Sequence, residues 1–139
     1  MPRPRTRMAG PVLDSADPLA LADFYARLLG WPVVEREGPR PGHPPTDGWA
    51  KIRSREQDLK IEFQFEEHYT PPVWPPVDGA PQMMIHLDIG VDDLDTAVAW
   101  ALEAGATLAD HQPQQGVRVL LDPDGHPFCL FPDPGLTPA

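Results

Sequence analysis

The chain has 139 residues, 41% of them hydrophobic, which is enough for one packed domain and too apolar for a disordered chain. Lys and Arg number 11 against 21 Asp and Glu, a net charge of −10, and this disfavours a nucleic-acid partner because phosphate binding relies on a basic surface. The single cysteine, Cys129, excludes an intrachain disulfide, and no apolar run has membrane-spanning or signal-peptide form, so a cytoplasmic location with no membrane partner is expected.

Residues 1–8 hold the one basic cluster, Arg3, Arg5 and Arg7, in a Pro-rich stretch that reads as a flexible tail. A short apolar segment then leads to Asp17-Pro18, an N-cap followed by a proline suited to the first helical position. Leu19, Leu21, Ala22, Tyr25, Ala26, Leu28 and Leu29 recur at helical spacing, and Gly30 stops the helix. Three extended segments follow, residues 31–37, 48–54 and 59–65. In the last, Leu59, Ile61, Phe63 and Phe65 alternate with Lys60, Glu62 and Gln64, as in a half-buried strand.

The second half repeats the order. Residues 83–91 read as a strand, Asp92 and Asp93 cap a helix that Gly105 ends, and residues 107–110, 117–121 and 127–131 read as three more strands. The last two are joined by the turn Asp122-Pro123-Asp124-Gly125. Asp17 stands 13 residues before Gly30 and Asp93 stands 12 before Gly105, so a duplicated βαβββ unit is expected. The boundaries are 9–66 for the first module, 67–81 for a Pro-rich linker, 82–132 for the second module and 133–139 for a C-terminal tail. The fold class is α+β, with two modules forming a curved, partly closed mixed sheet, helices outside and a cup for a small molecule.

Three motifs carry a resemblance to a known family. They are residues 13–31 with Phe24-Tyr25 and Leu29-Gly30, then His86-Leu87-Asp88-Ile89-Gly90-Val91-Asp92-Asp93-Leu94, then Asp122-Pro123-Asp124-Gly125-His126-Pro127-Phe128. Together they resemble the vicinal oxygen chelate superfamily of glyoxalases, bleomycin-resistance proteins and dioxygenases, over nearly the whole chain. The resemblance implies a homodimer. It also implies a divalent metal (Zn, Ni, Mn or Fe) held by one first-strand and one last-strand side chain from each module. Carried over position by position, those places fall on Gly10, Glu62, His86 and Cys129. Two ordinary ligands are present, a glycine offers none, and a thiol stands where glutamate is usual.

Each residue has a plainer reading beside the chemical one. His86 is a metal ligand or a hydrogen-bonded pocket residue. Glu62 is a ligand, a general base or a solvated strand carboxylate. Cys129 is a soft ligand, a nucleophile or a small buried hydrophobe. Glu62, His86 and Cys129 are the catalytic candidates. Trp49, Gln64, Tyr69, Trp74 and Met84 are the candidates for substrate contact, with Tyr69 and Trp74 on a linker stiffened by prolines that reads as a lid, a dimer contact or simple packing. His43, His68, His111 and His126 read as exposed loop residues. The leading functional expectation is a small-molecule binder. Its rivals are a metal-dependent lyase, isomerase or dioxygenase, and a non-catalytic interaction module.

Overall fold

The computed structural model describes residues 1–136, so residues 137–139 of the expected C-terminal tail lie outside the described residues. The chain divides into two compact units between Glu67 and His68. The first contains β1 (Val12–Ser15), α1 (Pro18–Leu29), β2 (Val33–Glu37), β3 (Trp49–Arg53) and β4 (Lys60–Phe65). The second contains β5 (Leu87–Val91), α2 (Leu94–Ala104), β6 (Thr107–Leu108), β7 (Arg118–Leu121) and β8 (Pro127–Pro132). Each is a βαβββ module, and the fold class is α+β as expected.

The two sheets have the same topology. Their strand orders are β1-β4-β3-β2 and β5-β8-β7-β6, with the first pair parallel and the others antiparallel. The capping aspartates act as their positions implied. Asp17 Oδ1 accepts the Ala20 N–H at 3.3 Å, and Asp93 Oδ2 accepts the Thr96 N–H at 2.9 Å, each satisfying a helix donor that has no partner within the helix. The hydrogen bond to Thr96 also pulls the Asp93 carboxyl below its ordinary pKa. Gly30 closes α1 in the left-handed conformation, φ 69°, which glycine adopts without a steric cost.

In the first module α1 packs on β3 and β4. Leu21, Ala22, Phe24 and Tyr25 are buried with Ala50, Ile52, Ile61 and Phe63. Tyr25 stacks on Phe63 with ring centroids 5.7 Å apart, and Phe24 meets Tyr25 edge-on at 4.9 Å. Full burial of each large side chain is worth roughly 1.5–3 kcal/mol. In the second module α2 packs on β6 and β8, and its Ala101 is buried along with Leu120, Phe128 and Leu130 of the sheet. Trp100, on α2, is 44% exposed.

One strand boundary departs from expectation in a way that affects the site. The segment read as a strand from residue 83 pairs only from Leu87, opposite Phe128. Its partner strand begins at Pro127, which has no N–H to donate, and the Asp122–Gly125 turn precedes it. Met84 and Ile85 are consequently 82% and 84% exposed, and His86 sits just before the strand rather than inside it.

Candidate functional site

Parallel pairing gives the two modules a common register. Val12 lies opposite Glu62 on β4, and Asp88 lies opposite Cys129 on β8. Val12 and Asp88 each stand five residues before the capping aspartate of their own module. On the other side, Glu62 faces Lys51 and Cys129 faces Val119. Glu62 and Cys129 therefore occupy equivalent places, at the centre of the sheet face turned away from the helix: Ile61, Phe63, Phe128 and Leu130, which alternate with them, are the buried residues.

In the first module that face is an ion-paired surface. Lys51 Nζ donates to Glu35 Oε1 at 2.9 Å, stands 3.8 Å from Glu62 Oε1 and lies over the Trp49 ring at 5.4 Å. The bond to Glu35 pushes the Lys51 ammonium up in pKa, against the lowering effect of burial. Gln64 Nε2 donates to Asp14 Oδ1 at 2.7 Å. Trp49 and Gln64 line a recess of about 240 Å³ with Arg40 and Phe65. Beside it, Asp47 is 1% exposed and accepts the Arg40 backbone N–H at 2.8 Å, Nε–H at 3.0 Å and Nη2–H at 2.7 Å. Those bonds hold its carboxyl well below the usual carboxylate range.

In the second module the same face forms an apolar cleft of about 240 Å³. Its walls come from Trp74, Met83, Val117, Val119 and Pro127, with Pro113 and Gln114 at the loop side and His86 and Cys129 as polar members. The Trp74 indole is fixed by donating to the His111 carbonyl at 3.2 Å, with the two rings 5.9 Å apart. His86 Nε2 lies 3.1 Å from Asp88 Oδ1. One ligand atom from each of His86, Asp88 and Cys129 falls within 4.8 Å of the other two. The Cys129 thiol is raised in pKa by burial first, and then by the charge of Asp88 and a hydrogen bond to it, so at neutral pH it is a protonated thiol.

The sequence candidates thus fall into two groups. Glu62, Trp49 and Gln64 belong to the first module's face, and His86, Cys129 and Trp74 meet at the second module's cleft. Tyr69 lies outside that cleft's lining. Its hydroxyl donates to the Asp124 carbonyl at 2.6 Å and its ring lies 5.4 Å from that of His126, so it pins the preceding segment to the β7–β8 turn. Met84 is exposed, and its neighbour Met83 takes the place in the cleft. His126, read as exposed, has a side chain only 18% exposed. Its Nδ1 lies 2.8 Å from Oδ2 of the buried Asp122, which also accepts the backbone N–H groups of Asp124 and His126 and so organises the turn. Asp88, Val117 and Val119 had gone unremarked. The available signal was parity, since Asp88 is two residues from His86 and strand neighbours at that spacing share a face.

The four-place metal centre implied by the resemblance is not met by these residues. Gly10 has no side chain, and a Cβ there would lie 2.6 Å from the Lys60 carbonyl oxygen, so its backbone is closed against a larger residue. Glu62 faces the Lys51 ammonium, and the remaining carboxylate place is Cys129. No helix among the described residues is long and apolar enough to cross a membrane.

Residues 11–131 match the sequence model of the family described as a glyoxalase-like domain. No curated protein matches the chain. Similar solved structures include a glyoxalase family protein from Enterococcus faecalis, 19% identical, covering 90% of this chain and 96% of that one with a TM-score of 0.63. A fosfomycin resistance protein, FosX, from Listeria monocytogenes, determined with Mn(II) and a dihydroxypropylphosphonic acid, is 13% identical over 93% of this chain and 94% of that one, TM-score 0.66. An antibiotic binding protein from Streptomyces is 16% identical over 94% and 98%, TM-score 0.55. With the two equivalent βαβββ modules, the match over nearly the whole length places the chain in the glyoxalase-like domain family of the vicinal oxygen chelate superfamily.

Proposed function

We propose that this protein binds a small apolar or aromatic molecule in the cleft of its second module. The observation that carries the reading is the composition of that cleft. Val117, Val119, Pro127, Met83 and the indole of Trp74 supply apolar contact, and His86 and Cys129 supply a few polar groups that orient a ligand. A volume of about 240 Å³ suits a compact molecule, or one ring system of a larger one. The likeness to a protein described as antibiotic binding agrees with this reading, and so does the apolar rather than charged lining. The proposal includes a cytoplasmic location, as expected from the single cysteine and the sequence's apolar pattern, and a homodimer, as the resemblance implies; light scattering of the purified chain tests the latter.

A library of small aromatic and aliphatic compounds, screened by quenching of intrinsic tryptophan fluorescence and repeated on Trp74→Ala, tests the binding. The expected result is saturable binders whose affinity falls by about tenfold or more in the variant, or ~1.4 kcal/mol. A screen without binders, or binders indifferent to Trp74→Ala, would remove the proposal. A second reading, a divalent-metal lyase, isomerase or dioxygenase, draws on the grouping of His86, Asp88 and Cys129. It requires turnover of a substrate with adjacent oxygens that stops when metal is chelated.

A further inference from the structure

We propose that Arg7, Arg53 and Lys60 form a binding site for a phosphate group in the first module, at the turn end of its β3–β4 hairpin. The inference goes beyond the second module's cleft and does not rest on it.

Strand pairing and a close backbone approach bring the three cations together. Arg53 and Lys60 are opposite partners where β3 and β4 meet their connecting turn, so both side chains leave one face of the sheet side by side. It is the face away from the helix, two residues along from Lys51 and Glu62. Arg7 comes from the N-terminal stretch expected as a flexible tail, yet β4 sets the path that leads from it. The Pro11 carbonyl accepts the Glu62 N–H at 3.0 Å, and Gly10, φ 120°, packs directly on the Lys60 carbonyl, an angle and an approach that glycine alone takes without strain. Arg7 Nη2 then donates to Asp58 Oδ2 at 2.9 Å, and Arg53 Nη2 to Asp58 Oδ1 at 3.0 Å. With Met8 and Ala9 these residues line a recess of about 210 Å³.

The charge of the recess points to its ligand. Its lining holds three cations against one carboxylate, in a chain whose net charge is −10. Asp58 answers both guanidiniums, and among the described residues no carboxylate answers the half-buried Lys60 ammonium. The carboxylates of the next row, Glu35 and Glu62, are engaged with Lys51. Arg55 and Glu56, in the turn, cancel in sign and lie outside the lining. Fold stability does not explain the arrangement. Like charges directly opposite on paired strands are destabilising, and exposed ion pairs such as those of Asp58 return only about 0–1 kcal/mol. Two guanidiniums and an ammonium converging on one recess are the donor set of a tetrahedral oxyanion, because Arg offers a planar fork and Lys a point charge. The Arg7 and Arg53 side chains are 76% and 44% exposed, so the ligand reaches them from solvent without any opening of the fold. The overall negative charge repels a long polyanion, which leaves a small molecule carrying one phosphate, or the free ion.

The test is a backbone-amide NMR titration of the full chain at constant ionic strength, with inorganic phosphate and, separately, with glycerol 3-phosphate, chloride being the balancing anion. The proposal expects saturable shifts centred on Met8, Ala9, Arg53, Asp58 and Lys60. Arg53→Gln and Lys60→Gln should each weaken binding by about tenfold, the scale of one charge-assisted hydrogen bond. Arg7→Gln should also weaken it, and because that change leaves the sheet untouched, a loss there is not a folding defect. Arg55→Gln removes a positive charge from the same turn but outside the lining, and should leave the affinity unchanged. Tighter binding of glycerol 3-phosphate would identify an organic phosphate as the ligand, and tighter binding of the inorganic ion would identify free phosphate; either supports the site. Absence of saturable shifts with both probes would overturn it. So would an equal loss in Arg55→Gln and Lys60→Gln, because phosphate would then be responding to net charge alone.

Discussion

Across the first module's sheet, the row on the face away from the helix reads Val12, Glu62, Lys51. The matching row across the second reads Asp88, Cys129, Val119. The backbone frame is the same in both, with the same strand order and the same Asp-capped helix. The helix-side core is also alike: Ile61 and Phe63 flank Glu62 as Phe128 and Leu130 flank Cys129, and all four are buried. The difference lies in three side chains. Lys51, between Glu62 and Glu35, neutralises two carboxylates and closes the first module's surface with charge. A valine at the same place in the second row leaves an apolar wall beside a thiol. The duplicated fold thus keeps its stability on one face of each sheet and sets its chemistry on the other.

The largest effects should come from the shared side of the comparison. Phe63→Ala and Phe128→Ala each remove a fully buried ring, and each should cost about 3–5 kcal/mol in urea denaturation. A much smaller cost at one of them would show that the two cores are not equivalent. The next effect separates the faces: Trp74→Ala should weaken binding of a cleft ligand by about tenfold or more, ~1.4 kcal/mol, and Trp49→Ala should leave it within the error of the assay. Asp17→Ala should lower stability by about 1 kcal/mol through loss of the α1 cap, seen as an earlier thermal midpoint.

A pH series sharpens the account of the first module. The Arg40 bonds lower the folded-state pKa of Asp47, so the ionised carboxylate stabilises the fold. That contribution is fully present above the unfolded value of about 3.9 and is lost as pH falls toward the lower folded value. Asp47→Asn should therefore have a lower urea midpoint than the parent at pH 7, and the two curves should converge as pH drops below about 4. A gap that stays constant with pH would assign the effect to packing instead. The smallest effect is expected from Lys51→Met, a pair on an accessible face, which should leave ligand binding in the second module unchanged.

Much of the frame was legible in the sequence because it is written in local chemistry. Asp-Pro and Asp-Asp before apolar helical periods, and glycines after them, fix both helices, and the alternation at residues 59–65 marks β4 directly. The equivalence of Glu62 and Cys129 came from the resemblance, which assigns each a last-strand ligand place. What the sequence did not reveal depends on partners distant along the chain. Strand β5 was read four residues too early because its limit is set by Pro127 on another strand. His126 looked like a loop residue, yet its ring is held by Asp122, itself buried under the turn. Lys51 beside Glu62 and Asp88 beside Cys129 are cross-strand neighbours, and no local pattern announces them. A cup holding a small molecule was expected, with His86, Cys129 and Trp74 among its candidates, but its other walls were not legible, since they come from the 74–86 segment, the loop before β7 and the faces of β7 and β8.

The central claim is that the second module's cleft is where a small molecule binds. The most direct measurement is a backbone-amide NMR titration of the isotopically labelled full chain with the tightest aromatic compound from the screen. The account predicts saturable shifts concentrated at Trp74, Met83, Val117, Val119 and Cys129, with Trp49, Lys51 and Gln64 unmoved. Shifts centred on Trp49, Lys51 and Gln64, with the second module silent, would contradict it.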